Sequence, residues 1–309
     1  MAIATPRITR DVVQAKVTGS KADVSGSAFK WSLIACLAIV LASLIALIGS
    51  VSGEGLEVLN TRGLWEFINQ PFSIRPANTG VYQGIVGTVT SAVLVAAFAF
   101  PLGVAAAIYL EEYASDNWFT RLVDVVIRNL AGVPAVVYGL LGLALFVDGP
   151  FEGLTGGASV LSAGLTLGIL VLPIVVITSA EAIRAVPQSL REGGYGVGAT
   201  RWEVTRTLVL PNAFGGILTG TILGLARALG EAAPLILIGA KSSGFSGGDW
   251  GDLTGDFTAL PMIISDWTTR PAALWNGPTQ AAILVTLVIV LGINTIGIVV
   301  RNRFDKKKS

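Results

Sequence analysis

The sequence predicts an all-α integral membrane protein with six transmembrane helices, and three observations carry that prediction. The first is composition: of 309 residues, 52% are hydrophobic and only 13% are charged, whereas an average soluble domain is about a quarter charged. A chain of this size with so few charges cannot coat a water-facing surface. The second is length. Six stretches, 31–51, 85–109, 121–147, 160–180, 212–240 and 278–300, are free or nearly free of charge, and a helix needs about 20 apolar residues to cross a hydrocarbon core of about 30 Å. The third is where lysine and arginine fall. With the N-terminus in the cytoplasm and sides alternating, the inner segments hold sixteen: Arg7, Arg10, Lys16, Lys21, Lys30, Arg121, Arg128, Arg184, Arg191, Arg201, Arg206, Arg301, Arg303, Lys306, Lys307 and Lys308. The outer segments hold four, Arg62, Arg75, Lys241 and Arg270, and Arg227 lies within the membrane. This bias places both termini in the cytoplasm, and an odd number of spans would leave one basic tail outside.

The resulting order is a cytoplasmic tail (1–30), a first span (31–51), an outer loop (52–84), a membrane core (85–300) and a short basic tail (301–309). The first span ends in Ile48-Gly49-Ser50-Val51 with no A-x-A cleavage site, so a retained helix is expected, with a cleaved signal peptide as the alternative. The third stretch carries Asp124 and Arg128 early and is uncharged from Asn129 onward. Pro101, Pro134 and Pro173 lie within spans and read as packing kinks, because neighbouring helices re-satisfy the backbone groups that a proline frees. The outer segment 241–277 is rich in Gly and Trp. Trp250, Trp267 and Trp275 suit an interfacial belt, and 257–267 is too short to span and is expected along the interface. Asp249, Asp252, Asp256 and Asp266 do not follow the EF-hand spacing.

Much enzyme chemistry is excluded. The chain has no histidine and one cysteine, Cys36, inside an apolar run. His-based triads, zinc clusters and disulfide frameworks are therefore absent. No catalytic residue, metal ligand or cofactor is expected in this chain. It has no G-x4-G-K-[ST] loop, so the chain is not expected to hydrolyse ATP itself. A net charge of +1 gives no reason to expect nucleic acid.

The most informative stretch, 181–211, separates the fourth and fifth spans. Ser189-Leu-Arg-Glu192 and Thr200-Arg-Trp-Glu203 each have the spacing of a capping box. The glycines at 193, 194, 196 and 198 between them allow a tight turn, and Leu210-Pro211 restarts a helix. The expectation is a helix-turn-helix outside the bilayer.

The spacing Glu192-x5-Gly198-x9-Leu208-x-Leu210-Pro211 resembles the EAA loop, E-A-A-x3-G-x9-I-x-L-P, of ABC importer permeases. In that family the loop is the coupling helix that docks in a groove of the cytosolic ATPase. Gly193 and Gly194 stand where the family has alanines, and Leu208 where it has isoleucine. Each glycine weakens a helix by about 0.5–1 kcal/mol relative to alanine, so a short or loose coupling helix is expected. Gly84-Ile-Val-Gly-Thr88, Glu111-Glu-Tyr-Ala114, Asn129-Leu-Ala-Gly-Val-Pro-Ala-Val-Val-Tyr-Gly139 and Ala226-Arg-Ala-Leu-Gly-Glu-Ala-Ala-Pro234 resemble the phosphate ABC transporter permeases of the PstA type. That resemblance covers roughly 80–301. It implies the type I importer fold in the cell membrane and a phosphate importer with four kinds of component. Besides this chain these are a second permease of the PstC type, a homodimeric ATPase of the PstB type that binds ATP and magnesium, and an external phosphate-binding protein of the PstS type. The outer loop is a candidate surface for that binding protein.

Arg227 and Glu231 need an explanation whatever the family. An ionised side chain at mid-bilayer costs about 2.5–3.5 kcal/mol by insertion scales and faces protein or water. The midpoint of 212–240 lies beside Arg227. Taking Gly216 as zero on a regular helix, Gly220, Gly224, Arg227 and Glu231 fall at roughly 40°, 80°, 20° and 60°. A small-residue packing stripe and two charges thus share one face. One reading is an ion pair that sets helix register. The other is a substrate pathway in which Arg227 meets an oxyanion, since its planar fork matches phosphate. The resemblance favours the pathway. Molybdate or sulfate is the alternative cargo. A secondary transporter is the alternative class, but the chain lacks an evident second half and a relay of ionisable groups.

The orientation is testable by single cysteines at Ser27 and Ser243 in a Cys36→Ala background. With an impermeant thiol reagent on intact cells, position 243 labels and position 27 does not; labelling at both, or the reverse, overturns the six-span topology.

Overall fold

The computed structural model describes residues 24–242 and 247–305. The tail with Arg7, Arg10, Lys16 and Lys21, the labelling position Ser243 and the lysines at 306–308 lie outside the described residues. The chain divides into two units, 1–51 and 52–309. In the first, the described residues form the N-terminal part of helix α1, Val24–Arg62, and those from Ser25 to Ser50 are exposed.

In the second unit the regular elements among the described residues are all helices. It continues from the end of α1 through α2 (Leu64–Asn69), α3 (Tyr82–Ile108), α4 (Trp118–Leu130), α5 (Ala135–Gly142) and the short α6 (Glu152–Thr155). Then come α7 (Val160–Arg184), α8 (Gln188–Gly196), α9 (Arg201–Val204) and α10 (Leu210–Gly230). The last three are α11 (Ala233–Ile238), α12 (Leu260–Thr268) and α13 (Ala272–Asp305). Single π-helical turns, Tyr109–Tyr113, Leu143–Val147 and Thr205–Val209, follow α3, α5 and α9. Among the described residues five helices are long and apolar enough to cross a membrane, six if the bent pair 118–130 and 135–147 counts as one span.

Helix α7 is the central pillar and packs on both α3 and α10. It is buried along most of its length, including Val171, Val175 and Ile183 at 0% exposure. Glycines allow the close approach. An added Cβ on Gly220 would stand 1.9 Å from Thr178 Oγ1, and one on Gly216 would stand 2.6 Å from Ala182 Cβ. Gly224 faces Val175 and Val171 at ordinary contact distance. From the other side, Gly103 on α3 fits against Val175.

Two expected spans are built differently. The stretch 121–147 is not one straight helix: α4 and α5 meet at an angle of 102°. Pro134 is the cause. It caps α5 with ψ 139°, and the residue before a proline is pushed out of the α region. Helix α4 has no buried residue, and it carries the surface pairs Arg121–Asp116 and Arg128–Asp124. Pro101 and Pro173, by contrast, lie inside continuous helices. The stretch 212–240 also breaks, since α10 ends at Gly230 and Glu231 is extended (φ −87°, ψ 115°).

Within 241–277, α12 buries Leu260, Ile263 and Trp267 against α3 and α13. Trp267 and Trp275 are 1% and 4% exposed and pack with Phe72, so only Trp250 keeps an exposed ring. The G-x2-G motif of α3 explains this seat. A Cβ on Gly87 would stand 1.8 Å from the Thr258 carbonyl, and Thr88 Oγ1 accepts the Leu260 N–H at 2.9 Å.

Replacing Gly220 by alanine forces the α7–α10 contact apart and lowers stability by about 1–3 kcal/mol, the range for overpacking. Gly292→Ala, where nothing lies within 4 Å, is the matched control and is neutral or stabilising by up to about 1 kcal/mol, the gain in helix propensity alone. Unfolding of the two purified variants in detergent measures the difference.

Candidate functional site

The first candidate site is the loop from α8 to α10. Helix α8 starts at Pro187 without a side-chain cap, so the Ser189–Glu192 capping box does not form; Ser189 already lies inside the helix. The expected glycine turn is also displaced. Gly193, Gly194 and Gly196 are helical, and the turn comes at Val197–Gly198, where Gly198 has φ +85°. The second capping box is present: Thr200 Oγ1 accepts the Glu203 N–H at 3.3 Å, and Glu203 Oε2 accepts the Thr200 N–H at 2.7 Å. Helix α10 does start at Leu210 with Pro211 in its first turn, directly after the π turn. Leu210 N–H donates to the Thr205 carbonyl, five residues back. The helix therefore widens just ahead of Pro211, whose ring would otherwise strike the carbonyl four residues before it.

These residues divide into an outer and an inner set. Glu192, Gly193 and Gly198 are exposed, among the exposed side chains of Leu190, Tyr195, Val197 and Trp202. Leu208 and Leu210 pack inward on a cluster with Ala107, Ile183, Val186, Val204 and Val209. Gly194 is buried; an added Cβ would stand 2.8 Å from both Leu208 Cδ1 and Val204 Cγ2. Its departure from alanine thus has a packing reason, whereas Gly193 has open space around it.

Sequence reasoning found no partner for the loop's arginines, and the structure supplies one in Glu111-Glu112-Tyr113. Arg191 Nη2 donates to Glu112 Oε1 at 2.8 Å, and their side chains are 12% and 5% exposed. Arg184 Nε donates to Glu111 Oε2 at 3.1 Å. Arg201 lies over the Tyr113 ring, 5.3 Å from its centroid. A cavity of about 360 Å³ opens between these side chains. Nearby, hydrogen bonds from Arg121 hold the exposed Asp116 carboxyl below the usual carboxylate range. Partners 79 and 73 residues away leave no local signature; the one clue was a pair of adjacent carboxylates closing an apolar run.

The second candidate site is the break after α10. Arg227 lies in the last turn of α10 rather than at mid-helix, where a cation complements the helix dipole. Glu231 has left the helix, so the angular reading places Arg227 and the glycines but not Glu231. The pair nonetheless forms, with Arg227 Nε 3.5 Å from Glu231 Oε1. Arg227 remains 42% and Glu231 26% exposed along the side chain. Gly216, Gly220 and Gly224 face α7, as described above. The two broken segments pack on each other: a Cβ on Gly139 of α5 would stand 2.8 Å from Pro234 Cα of α11. Tyr138 of α5 is buried, donates to the Leu130 carbonyl at 2.8 Å, and is close enough to Arg227 to feel its charge.

The roles of the two adjacent glycines separate by substitution. Gly193→Ala firms α8 and slows its amide hydrogen exchange by about fivefold, the equivalent of about 1 kcal/mol of helix propensity. Gly194→Ala displaces Leu208 and Val204 and speeds exchange instead. Equal effects at both positions would remove the packing account of Gly194.

Residues 99–309 match the family model for the binding-protein-dependent transport system inner membrane component. A relative from Bacillus subtilis (strain 168), the probable ABC transporter permease protein YqgH, is 35% identical over 212 residues, covering 66% of this chain and 68% of its own. The phosphate transport system permease protein PstA of Mycobacterium leprae is 33% identical over 261 residues, covering 84% and 83%. Among solved structures, the inward-facing MetNI methionine ABC transporter aligns over 78% of this chain and 97% of that chain, with a TM-score of 0.55 at 17% identity. The match over more than half of the chain, on an all-helical multi-pass fold, identifies the chain as a member of the binding-protein-dependent transport system inner membrane component family, the permease subunits of ABC importers.

Proposed function

We propose that this permease imports inorganic phosphate, with Arg227 meeting the anion and Glu231 holding the guanidinium in place. The observation that carries the reading is the half-open ion pair at a helix break. Non-helical backbone at membrane depth is tolerated only where it is buried in protein or lines a water-filled cavity. Discontinuous helices are where transporters build their binding sites. A guanidinium there, only partly covered by its carboxylate partner, keeps donors for a bidentate oxyanion. The named phosphate permease among the relatives supports the choice of phosphate. Another oxyanion, molybdate or sulfate, is the second reading, because the Bacillus relative's name specifies no substrate.

In this reading α8 and the exposed Glu192 dock on a cytosolic ATPase of the PstB type, which alone binds ATP and magnesium. A PstC-type permease completes the membrane part, a PstS-type protein delivers phosphate from outside, and both termini of this chain lie in the cytoplasm. The capping of α9 and the exposed apolar ridge around Glu192 support a docking role for this loop.

Uptake of radiolabelled phosphate, normalised to assembled complex, tests the site. Arg227→Met combined with Glu231→Leu removes both charges, a change that a purely structural pair tolerates. Uptake by the double variant is expected to fall by about tenfold or more, the scale of a lost charge-assisted hydrogen bond. Arg227→Lys is also impaired, because a point charge cannot reproduce the fork. Near-normal uptake by the double variant leaves only a register-setting pair. Uptake competed by sulfate or molybdate and not by phosphate transfers the site to the other oxyanions.

A further inference from the structure

We propose that the buried Glu112–Arg191 ion pair is the strut that carries movement of α8 into α3, and through α3 to the outer loop. The inference rests on the reading of α8 as the ATPase-docking helix. All three guanidinium nitrogens of Arg191 donate, to three residues. Nε and Nη2 donate to Glu112 Oε1 at 3.1 and 2.8 Å; Nη1 donates to the Val186 carbonyl at 2.6 Å and Nη2 to the Ile183 carbonyl at 2.9 Å. The last two carbonyls belong to the C-terminal end of α7 and the residues just beyond it, where cations satisfy orphan acceptors. One side chain on α8 therefore grips both the end of α7 and the end of α3.

Helix α8 is bounded by non-helical backbone on both sides, at Pro187 (ψ 135°) and at Gly198 with its positive φ. Rigid-body displacement of α8 needs some stiff contact to act on the membrane helices. Among the described residues, the side-chain hydrogen bonds from α8 to the end of α3 run through Arg191. The contact is stiff for two reasons. A planar fork resists rotation, and separating a buried pair strands a charge. The neighbouring Arg184–Glu111 pair, with Arg184 58% exposed, is more screened and weaker.

Glu112 reaches Arg191 because of the π turn at Tyr109–Tyr113. A one-residue change of register rotates a helical side chain by about 100°, so the extra residue in this turn sets which way the carboxylate points. π turns recur at functional positions for such reasons. At its other end, α3 is bonded to the outer segment by Gly87 and Thr88 against Thr258–Leu260. The helix, continuous through Pro101, thus joins the arginine grip to the outer loop.

The test uses the full chain assembled with its partner permease and ATPase in nanodiscs. A reporter Tyr82→Cys, in a Cys36→Ala background, sits at the far end of α3. ATP with vanadate is expected to change its rate of labelling by an impermeant maleimide. Glu112→Gln is expected to keep the ATPase bound and to shrink that ATP-dependent change by about fivefold or more, the usual range of a coupling between sites. Arg191→Lys, which keeps the charges and loses the fork, shrinks it less. If Glu112→Gln does not accumulate, Glu112→Leu with Arg191→Met removes both charges and takes its place. A full ATP response in either assembled charge variant overturns the strut; so does a full response in Arg191→Lys, or no response in the otherwise native chain. Glu192→Lys separates the underlying reading: release of the ATPase supports docking through α8, and retention with a full response removes the docking role itself.

Discussion

Inside a bilayer no water is available to a backbone N–H or C=O, so every turn of chain at that depth must close its own hydrogen bonds or find protein that will. Nearly everything in this molecule follows from that requirement. Long uninterrupted helices meet it within themselves, and α3, α7 and α13 stay continuous through Pro101, Pro173 and Pro278, where neighbours must satisfy the freed carbonyl. At two interruptions, the bend at 131–134 and the break at Glu231–Ala232, the helices that follow, α5 and α11, pack on each other. Broken backbone, a buried tyrosine and a half-open arginine therefore coincide, and that coincidence, rather than the charge alone, marks the candidate pathway.

The second requirement is close packing without a hydrophobic drive between helices, because lipid is as apolar as leucine. Helix α7 can be a shared pillar because its neighbours present glycine to it: Gly216 and Gly220 from α10, Gly103 from α3. Backbones then approach closely enough for dispersion to hold them. The same device appears outside the apolar spans at Gly194, where the missing Cβ admits Val204 and Leu208 under α8. A residue that weakens the helix by propensity strengthens the loop's seat by packing.

Charge is used sparingly and in different settings. On α4 and its flanks the pairs Arg121–Asp116 and Arg128–Asp124 are exposed and contribute little beyond solubility at the surface. Where α3, α7 and α8 converge, Glu112 and Arg191 are buried, and their geometry joins three elements. Burial makes the second kind of pair sensitive to the loss of either partner, whereas the first kind tolerates it.

Membership of the ABC permease family and the number of apolar stretches were legible in the amino-acid order. Hydrophobic run length, loop spacing and a capping box at Thr200–Glu203 are all local properties, fixed within a few turns of chain. The glycine stripe on α10 was legible for the same reason, since angular position on a regular helix follows from numbering alone. What numbering could not supply was where regularity stops. Glu231 falls on the wrong side of a helix end, Ser189 inside a helix it was expected to cap, and the bend at Pro134 exceeds an ordinary kink. The burial of Trp267 and Trp275 and the grip of Glu112 on Arg191 likewise depend on partners far away in sequence. Those outcomes belong to tertiary structure because each is decided by which surface arrives opposite, and a local pattern contains no information about its opposite number.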